Sequence, residues 1–388
     1  MNQTSTKTKM DTMRNILRSR LELATEEGLL RALPDDPAGY DFNSNDYLSF
    51  ARSPELKQKI QDEVDRYPQY GSGSTGSRLI SGNLQYIETL EKEIAGYHAT
   101  DDGLIFASGY AANMAFFSTI PQKGDTVICD EYIHASAIDG VRLSYTAKRR
   151  FKHNDLYDLE KQLKMSSGHK FVAVESLYSM DGDLGDLINI AELCKQYKAY
   201  LVVDEAHACG VWGTGLVDTL NIQHLVYARI VTFGKALGVH GAIVIGADPI
   251  KEYLVNFARP FIYSTAPPFQ HYAAIKMAYQ HLLANPQLQD TLHSRATLFK
   301  DNMPPQYQVK SSINPSPIQC IFINSNVKVL KIAKDLRGQG FNVTAIRSPS
   351  VPRGYERLRI CLHCHNTEEQ VLSLCKFFNN LYPIDYVI

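Results

Sequence analysis

Tyr227-Ala-Arg-Ile-Val-Thr-Phe-Gly-Lys-Ala-Leu-Gly238 reads as a buried strand that delivers a lysine at its end. The mostly apolar run Ile230 to Phe233 stops at Gly234, and Lys235 follows at once. In open α/β sheets, ligands sit beyond the carboxyl ends of the strands. A lysine placed there among small residues is a candidate for chemistry. It is equally an ordinary surface cap for the next helix, so its meaning rests on what the other strand ends carry.

Outward from that stretch, short apolar runs recur: Gly103-Leu-Ile-Phe-Ala-Ser, Thr126-Val-Ile-Cys-Asp, Lys170-Phe-Val-Ala-Val-Glu, Ala199-Tyr-Leu-Val-Val-Asp and Gly241-Ala-Ile-Val-Ile-Gly. Helical segments separate them, among them Gly109 to Phe117. Runs without polar alternation, spaced by helices, predict an α/β fold with a largely parallel sheet covered on both faces. Ser53-Pro54 opens a helix with Leu56, Ile60 and Val64 on one stripe, and Leu84 to Tyr97 repeats the pattern through Ile87, Leu90 and Ile94. Asn15 to Arg31 has helical spacing in Ile16, Leu17, Leu21 and Leu23, and Pro34, Pro37 and Gly39 then make a linker. Past about Tyr279 helices (Gln287 to Met303, Lys328 to Gln339, Thr367 to Leu381) mix with the strands Ile318-Gln-Cys-Ile-Phe-Ile and Arg357-Leu-Arg-Ile-Cys-Leu. The expected division is an arm over 1–50, a large domain over 51–283 and a smaller α+β domain over 284–388.

Bulk properties narrow the function. The chain has 388 residues, 44% apolar and 21% charged, with a net charge of −1, so no overall field favours nucleic acid or an anionic membrane surface. No stretch has the apolar length of a membrane span, and Met1 to Met13 lacks the apolar core of a signal peptide. Seven cysteines at irregular spacing fit a reducing cytoplasm.

Three motifs mislead when taken alone. Gly71, Gly73 and Gly76 have dinucleotide-fingerprint spacing, but a polar helix precedes them where a strand is required, so a flexible or anion-lining loop is expected. Asp204-Glu-Ala-His207 occurs in helicases, which also need a P-loop that this sequence lacks. Cys361-Leu-His-Cys364-His365 matches c-type haem attachment, yet the cysteines fall on or just after a strand-like run and are expected to be inert thiols, with no metal bound. What remains is an acid, Asp204, at one strand end and Lys235 at the next. Pyridoxal phosphate needs a lysine for its aldehyde and an acid that keeps its pyridine nitrogen protonated. Ser108-Gly109-Tyr110 is a strand-to-helix turn suited to a phosphate. Thr232 and Ser179 offer hydroxyls near strand ends, and His134 follows another strand, as a ring-stacking group or a plain loop histidine.

Taken in order, Ser44-Asn-Asp-Tyr-Leu48, Gly76-Ser-Arg-Leu-Ile-Ser-Gly82, Ser108-Gly-Tyr-Ala-Ala-Asn113, His134-Ala-Ser136, His153-Asn-Asp155, Ser179-Met-Asp-Gly-Asp183, Asp204-Glu-Ala-His207 and Thr232-Phe-Gly-Lys-Ala236 resemble the α-oxoamine synthases over nearly the whole length. These are pyridoxal-phosphate transferases of fold type I. The resemblance implies a large domain with a mostly parallel central sheet and a smaller C-terminal α+β domain. It implies Lys235 as the Schiff-base lysine, Asp204 as partner of the pyridine nitrogen, His207 on the ring hydroxyl and His134 stacked on the ring. Gly109, Tyr110, Ser179 and Thr232 would contact the cofactor, and Thr265 would reach the phosphate of the partner subunit in a homodimer. Arg359 would bind the amino-acid carboxylate, with Asn45, Ser350 and Arg31 as further substrate contacts. Phe257-Ala-Arg-Pro-Phe-Ile-Tyr-Ser-Thr265 and Val343-Thr-Ala-Ile-Arg-Ser-Pro-Ser-Val-Pro352 resemble most closely the branch that condenses L-alanine with a pimeloyl thioester. Sister branches make 5-aminolevulinate, 2-amino-3-oxobutyrate and 3-ketosphinganine. Ile87 stands where the family usually has a histidine.

Overall fold

The structure is a computed structural model and describes residues 3–381 except 28, 32, 34–37, 308–315 and 349; the side chains of 3–11 and 306 are also outside the description. The linker prolines Pro34 and Pro37 therefore lie outside the described residues.

After the short strand β1 (Tyr40–Asp41) come β2 (Asp102–Phe106), β3 (Thr126–Asp130), β4 (Ala147–Phe151), β5 (Lys170–Glu175), β6 (Tyr200–Asp204), β7 (Ala228–Thr232) and β8 (Ala242–Gly246). The last seven form one sheet in the order β2-β8-β7-β6-β5-β3-β4. Successive residues point to opposite faces: Ile128, Val172, Val203 and Val231 join one buried cluster, and Val127, Phe171, Val202 and Ile230 join the other. Both faces are apolar because helices cover both, which is why the sequence shows unbroken apolar runs. Only β4, at an edge, is mostly polar, and its Lys148, Arg149 and Arg150 keep that edge from pairing with another chain.

One strand departs from the parallel expectation. β8 runs antiparallel to both β7 and β2. Only residues 233–241 lie between β7 and β8. A parallel return needs a crossover of a dozen or more residues, so the chain turns back instead.

The C-terminal part holds β9 (Ile318–Phe322), β10 (Phe341–Asn342), β11 (Thr344–Ile346) and β12 (Arg357–Cys361). A three-stranded antiparallel sheet runs β11-β12-β9, while β1 pairs in parallel with β10. Phe42 accordingly packs in the same apolar cluster as Ile321, Leu336, Leu358 and Phe378. Local chemistry sets the helix ends: Ser53 caps Pro54–Asp65 by accepting the Leu56 N–H, and Thr367 with Gln370 forms a capping box on Glu368–Asn380. The N-terminal helix spans Gln3–Glu26, starting earlier and stopping sooner than the spacing predicted. The polar residues ahead of Asn15 contain no helix breaker, so the helix extends through them. Its stripe of Ile16, Leu17, Leu21 and Leu23 is exposed. Among the described residues no helix is long and apolar enough to cross a membrane.

Candidate active site

Asp130, Glu175, Asp204 and Thr232 are the last residues of β3, β5, β6 and β7. Parallel register sets Glu175 beside Asp204. Four functional side chains thus share one edge of the sheet, and Lys235 lies just beyond it.

Lys235 opens a chain of polar contacts. Its Nζ is 2.6 Å from His207 Nε2, and His207 Nδ1 is 2.8 Å from the Tyr47 hydroxyl. Tyr47 donates to Asn45 Oδ1 at 3.1 Å, and Arg359 Nη2 donates to the same oxygen at 3.0 Å. Because the Tyr47 proton is committed to Asn45, His207 carries its proton on Nδ1 and accepts from Lys235 through Nε2. Arg359 is fixed further by its Nε, which donates to the Ser179 carbonyl at 2.6 Å. Lys235, His207, Asn45, Ser179 and Arg359, all singled out by the sequence, therefore converge. Tyr47 joins three of them and has no role in the sequence reading; an aromatic flanking the polar turn Asn43-Ser-Asn-Asp46 was the available signal.

The electrostatics suit an amine nucleophile. Burial first, with Arg359 nearby, lowers the Lys235 pKa to about 8, while Asp204 and Glu175 act in the opposite sense. His207 falls well below the ordinary imidazole value through burial and then the Lys235 charge, so it is neutral. Glu175 is pushed well above the ordinary carboxylate value by burial and then by the Asp204 charge. Asp204 stays oriented: Asn113 Nδ2 donates to its Oδ2 at 2.8 Å and the Ala206 N–H to its Oδ1 at 2.9 Å. One Asp204 oxygen is thus held by the turn that follows β6 and the other by Asn113. Asn113 and Glu175 were missed as functional groups, although each ends or follows a predicted strand.

Helix Gly109–Thr119 begins at Ser108, whose side chain accepts the Ala111 N–H. The first N–H groups of a helix lack intrahelical acceptors and suit an anion. A Cβ on Gly109 would meet Thr232 Oγ1 at 2.6 Å, so that helix start and the Thr232 hydroxyl lie against each other. Tyr110 reaches Asp139 through its hydroxyl and sits edge-on to His134, centroids 6.5 Å apart. His134 Nδ1 accepts the Ser136 N–H at 3.3 Å, leaving Nε2 and an accessible ring face on the cleft. Its pKa is lowered, by desolvation first.

Other predicted positions fall further out. Arg31 Nη2 donates to Ser350 Oγ at 3.0 Å, so two expected substrate contacts meet each other where the arm touches the C-terminal part. Thr265 is exposed and bridges Ser77, which ties it to the glycine-rich loop; that loop is irregular, as expected. Gly82 is needed there, since a Cβ would lie 2.5 Å from the Ala266 Cβ. Ile87 is fully buried in the core. The seven cysteines are free, and Cys361 is buried on β12. Asp41, His363 and His365 form a cluster of metal-ligand type among the described residues. Asp41 already accepts from Arg52, Asn43 and Ser44, and His363 from its side meets Ser44 and Asn366, so these groups join the arm to the small sheet.

A phosphate cradle, an oriented carboxylate, an accessible imidazole face and a depressed lysine are the donor set that pyridoxal phosphate requires, and they fit it. Comparison with known proteins agrees. The family Aminotransferase class I and II matches residues 38–378. The 8-amino-7-oxononanoate synthase of Emericella nidulans is 39% identical, over 94% of this chain and 93% of that protein. Among solved structures, the 8-amino-7-oxononanoate synthase of Francisella tularensis superposes with a TM-score of 0.75 at 29% identity, covering 89% of this chain and 97% of that one. A Sphingomonas wittichii serine palmitoyltransferase superposes with a TM-score of 0.86 at 25% identity, covering 94% and 95%. The chain belongs to the class I and II aminotransferase family, in its α-oxoamine synthase branch.

Proposed function

We propose that this protein is an 8-amino-7-oxononanoate synthase acting in biotin biosynthesis, which condenses L-alanine with a pimeloyl thioester and releases carbon dioxide and the thiol. The bond between alanine Cα and the acyl carbonyl forms, while the C–S bond and the bond to the alanine carboxylate break. The single observation that carries the chemistry is the chain from Lys235 through His207, Tyr47 and Asn45 to Arg359. It joins a depressed amine to a fixed guanidinium.

Pyridoxal 5′-phosphate, when bound, supplies the electron sink for negative charge at the amino-acid Cα. Asp204, held by Asn113, would keep a proton on the ring nitrogen. Gly109, Tyr110 and Thr232 would hold the phosphate, Ser179 would lie beside the ring, and His207 would hydrogen-bond its hydroxyl. His134 would stack its accessible face on the ring. Arg359 and Asn45 take the alanine carboxylate in a site shielded from water, where a charge-assisted bidentate contact is strong. Lys235 Nζ, neutral in part at neutral pH, takes the Cα proton. Ser350 and Arg31 line the way in for the acyl chain.

The division at 50 and 283 into arm, large domain and small domain belongs to this reading. So does a cytoplasmic homodimer, with Thr265 reaching the partner's phosphate. The exposed apolar stripe of the N-terminal helix and the exposure of Thr265 support it. Thiol release measured with alanine, glycine and serine against pimeloyl-, succinyl-, acetyl- and palmitoyl-CoA tests the substrates. Alanine with the pimeloyl donor should give the highest kcat/KM by about tenfold or more; preference for serine with palmitoyl-CoA would assign the sphingoid branch instead.

A further inference from the structure

Two loops frame the candidate site. Residues leaving β3 run from Asp130 to His134, and residues leaving β5 carry Ser179 to Asp183. His153, just past β4, stands between them. Its Nδ1 is 3.0 Å from Asp130 Oδ1 and its Nε2 is 2.6 Å from Asp183 Oδ2. The ring stacks on Tyr132 at 4.5 Å and meets Tyr178 edge-on at 4.4 Å. The same segment grips both loops through other groups: the His153 N–H donates to Glu131 Oε1, the Asn154 N–H to Asp130 Oδ2, and Asn154 Nδ2 to the Leu184 carbonyl. A partly buried ion pair of this kind can serve the fold alone. What gives it a further meaning is the far side of the second loop.

There the loop is seized by the small sheet. Arg359 Nε donates to the Ser179 carbonyl, and Arg357, two residues earlier on β12, donates to the Met180 carbonyl at 2.9 Å and pairs with Asp181. The Cys320 thiol donates to the same Met180 carbonyl at 3.1 Å. Gly182 has φ +72° and packs so tightly on β9 that a Cβ would lie 2.1 Å from the Ile318 carbonyl oxygen. The loop thus has no slack between His153 and the two arginines.

We propose that His153 is a positioning residue that fixes, through Asp130 and Asp183, the spacing between the His134 ring and the Arg359 guanidinium. The inference rests on Arg359 being the anchor of the amino-acid carboxylate. Burial opposes the charge on His153, but the hydrogen bonds it donates to Asp130 and Asp183 outweigh it and raise its pKa to about 10. His153 therefore keeps its charge at neutral pH.

The test is L-alanine titrated into the pyridoxal-phosphate-loaded protein, read by the change in cofactor absorbance, together with imidazole NMR of His153 across pH without alanine. In the wild type the His153 signals should stay those of an imidazolium from about pH 6 to about pH 9. His153→Asn and Asp183→Asn should each weaken alanine binding about tenfold, with the visible cofactor band unchanged, and the double variant should be no worse than either single one, because the pair acts as a unit. Unchanged alanine affinity in both variants, multiplying losses, disappearance of the cofactor band, or titration near the ordinary imidazole value would each overturn the proposal. A wild-type protein that binds cofactor but shows no response to alanine would instead overturn the reading of Arg359 on which the proposal stands.

Discussion

Lys235 is reactive because of where the chain puts it. A lysine at the surface titrates near 10.5, whereas burial brings this one to about 8. Only the neutral amine attacks an aldehyde, so the rate at which cofactor-free protein captures pyridoxal phosphate should rise about tenfold per pH unit below 8 and level off above it. A rate still rising steeply past pH 9 would show that the amine is not depressed. Asn113 gives a second test. Asn113→Ala strips one donor from Asp204 Oδ2, and the cofactor dissociation constant, followed by absorbance titration, should rise roughly five- to tenfold, from about 1 kcal/mol lost. Lys235, Asp204 and His207 were legible in the sequence because each sits at or just after an apolar run. Tyr47 and Asn113 were not, since their roles exist only once segments far apart in the chain meet.

At the scale of elements, the start of helix Gly109–Thr119 is a tight constraint in the proposed phosphate cradle. Gly109→Ala would drive a methyl into Thr232 Oγ1, shifting either the helix start or the hydroxyl. Cofactor affinity should fall at least about tenfold while the secondary structure seen by circular dichroism stays the same; an unchanged affinity would place the phosphate elsewhere. The strands were legible because a sheet covered on both faces demands continuous apolar runs, and β2, β3, β5, β6, β7 and β8 all have them. The direction of β8 was not, because apolar runs carry no sign; the short 233–241 connection held that information, and loop length was the overlooked signal. The N-terminal helix was misplaced for the opposite reason, since its early turns are polar and show no period.

For the whole molecule, the parallel pairing of β1 with β10 ties the arm to the C-terminal part, a contact between residues some 300 positions apart that no local pattern announces. Sedimentation should give twice the 43.6 kDa chain mass, and Thr265→Ala should weaken cofactor binding without splitting the dimer. His153 links site and stability. A raised pKa means its contribution is complete below about pH 6.5 and is lost as pH climbs toward about 10, so the melting temperature should decline over that window more in the wild type than in His153→Asn. Parallel declines in the two proteins would contradict that assignment.

The central claim is that Lys235 carries the chemistry at the edge of the sheet. Lys235→Ala, purified and mixed with pyridoxal phosphate, tests it most directly in a single absorbance spectrum followed by a turnover assay. The account predicts loss of the visible band of the lysine-bound cofactor together with loss of thiol release. A variant that keeps the band, or that still turns over alanine and the pimeloyl thioester, would contradict it.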